Sequence, residues 1–226
     1  MKQYNWIIAA ALLLLSACQT SANGSLQWAE DGVVTGAGGK RLQLDIQGIY
    51  DGLSYAGNNY LVGFKIDKEG NNYPHIVQMR DDLSSVKYWP FDNIPNDIFV
   101  YHEKVHVTTT DGNVYSLQDE KWELIDKKFP RESQVVYSDS KKDLVVCYPA
   151  AMEKTGDHNS GCISTNNKWQ LDFVWFTIVP KTCDGKLHIV EENGNSKLFK
   201  QIDLATGKTL KSKPVKNVPE DICKLQ

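Results

Sequence analysis

Three glycine-centred turns recur at a near-fixed interval along this chain, and that interval limits the folds open to it more than any other feature. Glu69-Gly70-Asn71-Asn72, Asp111-Gly112-Asn113 and Asn193-Gly194-Asn195 each separate two runs of strand-forming residues. Glycine reaches the positive φ of a tight hairpin without steric cost, and Asn or Asp tolerates it. Gly70 and Gly112 lie 42 residues apart and Gly112 and Gly194 lie 82 apart, so a missing middle turn is expected near Asp157 to Gly161. Each unit reads strand, tight turn, strand, second turn, strand. Trp89, Trp122, Trp169 and Leu210 stand late in successive units.

After residue 25 the apolar residues alternate with period two, as in half-buried strands, and no long segment shows helical spacing. Leu42, Leu44 and Ile46 follow this pattern, as do Tyr60, Val62, Phe64 and Ile66, and Val105, Val107 and Thr109. Phe173 to Val179 is apolar on both faces and predicts a strand sandwiched between two layers. A small sheet of such a unit cannot bury both faces alone, and repeats of this length are those of propeller blades. The expected fold is all-β, a small β-propeller-like repeat domain of about five blades over residues 26–226, with a β-sandwich as the alternative.

Two segments carry a resemblance. Asp111-Gly112-Asn113-Val114-Tyr115-Ser116-Leu117, and Leu198 to Leu210 with its Asp203-Leu204-Ala205-Thr206-Gly207-Lys208 turn, resemble the repeats of quinoprotein-type β-propellers. The likeness bears on architecture, since propellers host many unrelated functions.

The N-terminus has Lys2, an apolar run from Trp6 to Leu15, and then Leu15-Ser16-Ala17-Cys18. This is the layout of a secretory signal, too short to span a bilayer, which needs about 20 apolar residues. Leu15-Ser16-Ala17-Cys18 resembles the bacterial lipobox, which implies a signal peptide over residues 1–17 and lipidation of Cys18. The residue after it is Gln19 and not the Asp that resembles an inner-membrane retention signal, so the expected address is the outer membrane, facing the periplasm. Residues 18–25 read as a lipidated tether of roughly 15 Å. Setting Cys18 aside leaves Cys147, Cys162, Cys183 and Cys223, an even set suited to disulfides in an oxidising compartment. Cys147 and Cys162 flank one polar loop from strand-like runs and are expected to pair, leaving Cys183 for Cys223.

Candidate chemistry is sparse. His102-Glu103-Lys104-Val105-His106 matches H-E-x-x-H, in which a helix sets both histidines on zinc, but its flanks are strand-forming. On a strand the two histidines lie about 13 Å apart and cannot share a metal. The stretch is expected to be a hairpin turning at Glu103-Lys104, with His102 and His106 as zinc ligands of a hydrolase the weaker alternative. Gly36 to Arg41 fails the phosphate-loop spacing, and Ser54 reads as a turn residue. Asp81-Asp82 and Glu191-Glu192 are neighbours that face opposite ways on a strand. Tyr88, Trp89 and Phe91 form an aromatic cluster of the kind interfaces favour, and His158 lies on the loop between Cys147 and Cys162. Lys208, Lys211, Lys213 and Lys216 make a basic stretch.

With 25 Lys+Arg against 28 Asp+Glu, the net charge of -3 argues against nucleic acid as a partner. No motif requires a cofactor or sets up catalysis. The expectation is a non-enzymatic lipoprotein, attached to the membrane by its N-terminal lipid, that binds a protein partner. In form it resembles immunity lipoproteins that neutralise a secreted antibacterial effector or toxin, such as a type VI secretion phospholipase. Scaffold lipoproteins of outer-membrane assembly are the alternative.

Overall fold

The computed structural model describes residues 19–20, 26–29, 31–139, 143–149, 152–153, 156–157, 160–173, 176 and 179–225. It divides into two compact units, Met1–Asp92 and Asn93–Gln226.

The first unit holds two four-stranded antiparallel sheets, each an up-and-down meander. One is β1 (Gln19–Thr20), β2 (Gln27–Trp28), β3 (Val33–Thr35) and β4 (Arg41–Gln43). The other is β5 (Gln47–Tyr55), β6 (Asn58–Ile66), β7 (Asn72–Arg80) and β8 (Lys87–Pro90). Gln19 and Thr20 fall in the segment read as a tether, yet they pair with Trp28 and Gln27, so sheet structure starts there. The core is shared by the two sheets: Leu26, Trp28 and Val34 pack with Ile49, Leu61, Val77 and Met79.

The second unit holds three more four-stranded meanders. The first is β9 (Pro95–Tyr101), β10 (Lys104–Thr109), β11 (Asn113–Gln118) and β12 (Lys121–Lys128). The next runs β13 (Gln134–Ser138), β14 (Leu144–Tyr148), then a small ladder of β15 (Met152–Glu153) and β16 (Gly156–Asp157), and returns through β17 (Ser160–Ser164) and β18 (Gln170–Phe173). The last is β19 (Lys181–Cys183), β20 (Lys186–Asn193), β21 (Ser196–Asp203) and β22 (Thr209–Val215).

The glycine turns occupy equivalent places. Gly32, Gly70 and Gly112 each join the second and third strands of a sheet, at φ +84°, +83° and +86°. Each donates its N–H to the carbonyl three residues back, and Asp31, Asp67 or Asp111 caps the turn by accepting a backbone N–H from beyond it. Gly194 turns the last sheet in the same place. In the sheet between, the anticipated turn near Asp157 is replaced by the β15–β16 excursion. The unit is therefore four strands and not three. Trp89, Trp122 and Leu210 lie on fourth strands, and Trp169 directly precedes one.

The alternating runs predict half-burial, but the second strands are buried on both faces. Tyr60, Leu61 and Val62 are all buried, as are Val105 to Thr109. Within the second unit the cause is explicit. Leu144 and Val146 of β14 pack on Phe99, Tyr101 and Val114, whereas Val145 and Cys147 pack on Leu187, Ile189 and Ile202. Alternate residues serve alternate neighbours, and each fully buried Val, Leu or Ile contributes about 1.5 to 3 kcal/mol. Of the Phe173–Val179 run, the described residues place Phe173 in β18 and Phe176 in an isolated bridge with Glu191.

Both disulfides are present in the expected pairing. Cys147 and Cys162 are directly opposed on β14 and β17, with Cα atoms 4.0 Å apart. Cys183 on β19 holds Cys223 in a 3₁₀ turn over Ile222–Lys224, across 40 residues. This clasp lays Ile222 onto Val190 and Phe199, all three fully buried, with Val215, Val218 and Leu225 packed around them.

His188 is buried on the same face, its Nε2 3.2 Å from Nε2 of Gln201 and its ring edge-on to Phe199. Burial pushes its imidazole below the ordinary range, while the backbone of Ile222 and the Asp184 carboxylate pull it up and Lys186 pushes it down. The folded chain thus holds His188 neutral at a pH where the unfolded chain, titrating near about 6.5, takes a proton. Stability is full above that value and falls as the pH drops through it toward the folded pKa. Thermal melts between about pH 7.5 and about 5.5 are expected to show this loss, and His188→Gln is expected to reduce it; an unchanged pH dependence would remove His188 as its source.

Candidate binding surface

Odd-numbered residues of β7 share one face of the second sheet. Towards β4 this face is core, through Val77 and Met79. Further along it emerges into solvent, where Tyr73 stands directly across from Lys65, His75 across from Pro90, and Tyr88 across from Val77. Tyr73 is 49% exposed and Tyr88 38% exposed. The Tyr88 hydroxyl accepts the N–H of Asp45 at 3.1 Å, and the Asp45 carboxylate pairs with Lys65. That carboxylate raises the Lys65 pKa, by hydrogen bonding first and charge second. Tyr73 donates to Asp67 at 3.1 Å. Asp67 in turn is held down to about 2, chiefly by the side-chain and backbone N–H groups of Asn71. The tyrosines are thus oriented by their hydroxyls and still present ring surface, which suits recognition of another protein.

The aromatic cluster of the sequence is divided by the strand. Tyr88 lies on the exposed face just described, while Trp89 pairs with Ile76 on the opposite face and is half-buried. Phe91, also half-buried, extends the ladder by donating its N–H to Pro74 at 3.0 Å. Tyr73 carries no signal in the sequence. Its position three residues after Gly70 identifies it only once the β6–β7 register is known.

The HEKVH stretch is a hairpin, turning one residue earlier than expected. His102 and Glu103 are the turn residues, both at positive φ, and Lys104 already pairs with Tyr101. His102 is exposed and leans on the Tyr101 ring, with centroids 4.0 Å apart. His106 is buried against Phe99, its Nδ1 3.0 Å from the Lys104 carbonyl. Among the described residues no three His, Cys, Asp or Glu side chains come together as a metal site.

The other candidates have local roles. Ser54 is a strand residue and not a turn residue, donating to Asn59 at 2.5 Å, and Asn59 donates to Asp81 at 2.9 Å. Gly36 to Lys40 turns β3 into β4. Glu191 pairs with Lys200. Cys18 and His158 lie outside the described residues.

The D-x-x-T-G-K turn explains its own residues. Thr206 donates both its N–H and its hydroxyl to Asp203 at 2.8 Å. Gly207 lets the Trp169 ring lie against the backbone, since a Cβ there would sit 2.8 Å from it. Trp169 then donates Nε1–H to the Leu204 carbonyl at 2.8 Å, tying the fourth sheet to the fifth.

Five four-stranded antiparallel meanders among the described residues, succeeding one another along the chain, give it the fold of a β-propeller protein. Solved structures similar to it include two that cover most of this chain. An oxidoreductase described as a glucose dehydrogenase, from Thermus thermophilus, superposes with a TM-score of 0.52 at 11% identity, covering 86% of this chain and 82% of that one. BamB from Moraxella catarrhalis superposes with a TM-score of 0.52 at 11% identity, covering 87% of this chain and 63% of its own length. At that identity the likeness is one of fold. No protein-family profile and no curated protein sequence matches the chain.

Proposed function

We propose that this protein is a lipid-anchored, periplasm-facing binding protein of the outer membrane, and that it acts as an immunity protein neutralising a secreted antibacterial effector. The observation that carries the binding role is the pair Tyr73 and Tyr88, exposed on one face and held by their hydroxyls. Leu15-Ser16-Ala17-Cys18 supports the anchor, and two disulfides suit an oxidising compartment. A rigid sheet presenting aromatic side chains is sufficient for one-to-one inhibition, because little conformational entropy is lost when preorganised groups bind.

Deleting the gene is expected to make the cell sensitive to a sibling strain that delivers the effector, and the full chain is expected to restore protection. Tyr73→Ala with Tyr88→Ala is expected to weaken effector capture by about tenfold or more, as for centrally placed interface aromatics, with the β-sheet circular dichroism spectrum retained. Deletion without sensitivity, together with recovery of outer-membrane assembly components on affinity purification, would overturn the immunity role in favour of a scaffold.

A further inference from the structure

We propose that the outer edge of the last sheet, strand β22 with its flanking residues, is a docking surface for an anionic phospholipid membrane. β22 is the terminal strand of its sheet, and Thr209, Leu210, Lys211, Ser212 and Pro214 are all exposed. Residues 204–219 contain Lys208, Lys211, Lys213 and Lys216 and no Asp or Glu, in a chain whose net charge is -3. Positive charge is therefore gathered on one edge. Of the neighbouring carboxylates, Asp203 caps Thr206, Glu191 pairs with Lys200, Glu192 stands across from Lys197 and Asp221 caps Cys223, while Glu220 is exposed just beyond the stretch. Lys213 is drawn inward over the Phe199 ring at 5.7 Å, which leaves Lys208, Lys211 and Lys216 as the outward cations.

Two features select a charged surface over an added strand. Pro214 has no N–H, and a proline on an edge strand is placed where that N–H would face outward, so the donor row a docking strand needs is interrupted. Leu210, 54% exposed, lies between Lys208 and Lys211. An apolar side chain flanked by cations is suited to a headgroup boundary, where the lysines meet phosphates and the leucine reaches toward the acyl region. A membrane meeting the sheet edge-on contacts residues from both faces of β22 at once. The membrane's nearness rests on the lipid-anchored reading: Cys18 directly precedes Gln19, which is paired in the first sheet, so a lipid on Cys18 keeps the chain close to the bilayer, and a lipid with a polybasic patch holds better than either alone. Docking itself is independent of any effector.

The test uses the mature chain, residues 18–226 with Cys18→Ser, which carries neither the apolar signal peptide nor a lipid, sedimented with vesicles of phosphatidylethanolamine and phosphatidylglycerol, or of phosphatidylethanolamine and phosphatidylcholine. Binding is expected to the anionic vesicles only and to weaken with added salt. Replacing Lys208, Lys211 and Lys216 together by Gln is expected to weaken it about 100-fold, each lysine near an anionic surface being worth about fivefold. The variant is expected to melt at the unchanged temperature, because the three side chains are exposed. Equal binding to both kinds of vesicle, or full binding by the triple variant, would overturn the proposal. Binding to polyglutamate without binding to anionic vesicles would also overturn it and assign the strip to an acidic protein. Self-association of the triple variant with vesicle binding intact would make the lysines guards of the sheet edge instead. Effector protection is scored separately, so the two proposals can fail independently.

Discussion

Replacing Cys183 and Cys223 together by serine is expected to destabilise the protein by about 4 kcal/mol, the loop-closure value for a bridge spanning 40 residues. That is a large part of the roughly 5 to 15 kcal/mol that a domain holds in reserve. The loss has a defined location. Ile222 covers Val190 and Phe199, which are fully buried, and the bridge holds the 3₁₀ turn on β19. Freed of the bridge, residues 216–225 are expected to open at a lower cost than the sheet beneath them. Hydrogen exchange should then show early exchange at Lys224 and Leu225, whose N–H groups bond within the turn. A hydrophobic dye should bind Val190 and Phe199 once they are uncovered. Removing Cys147 and Cys162 opens a shorter loop, of 15 residues, and is expected to cost about 3 kcal/mol without releasing the tail. A tail that stays protected from exchange in the Cys183/Cys223 variant would show that Ile222 and its neighbours hold the clasp without the bridge.

Gly112→Ala is expected to cost about 3 kcal/mol or more, adding left-handed backbone strain to a steric overlap. Gly112 sits at φ +86°, and an added Cβ would lie 2.1 Å from the Phe129 carbonyl oxygen. Neither partner can move freely. Gly112 accepts the Phe129 N–H at 2.9 Å, and Phe129 is itself buried in the core of the third and fourth sheets. Gly70 is the matched control. It occupies the same turn position at φ +83°, but an added Cβ meets nothing within 4 Å. Gly70→Ala should therefore cost only the backbone term, about 1 to 2 kcal/mol. Equal losses in the two variants, measured by denaturant unfolding, would show that the close approach to Phe129 is relieved at little cost.

The same glycines show how much of the fold is legible in the sequence. Gly70, Gly112 and Gly194 are readable because positive φ is a property of one residue, and a repeated need for it leaves a repeated letter. The four-strand unit is not readable, because the first strand of each sheet carries little alternation of its own. Burial on both faces of β6, β10, β14 and β20 is likewise hidden. Alternation reports contrast between two faces, and there is none when both are covered, as on β14 by the third sheet and the fifth. The His102-Glu103 turn is displaced by one residue from its expected place because neither side chain announces left-handed geometry as glycine does.

The candidate surface is legible only in part. Tyr88 and Trp89 are adjacent letters, but the pleat sends them to opposite faces, so an aromatic cluster in the chain is not one in space. Tyr73 joins Tyr88 through the register of β6, β7 and β8, a non-local pairing with no local signature. The two disulfides are accessible from the sequence because each cysteine can be weighed against so few partners.

What the sequence determined by itself is whatever a single residue or a short run enforces: the β class, the turn interval, the parity of the cysteines and the gathering of lysines on residues 208–216. The tertiary structure alone decided which strands lie between two layers, where Ile222 closes the last sheet and which tyrosines share a face. Those outcomes depend on cross-strand register and on the stacking of sheet against sheet, whose free energy comes from surfaces that meet only after the chain has folded.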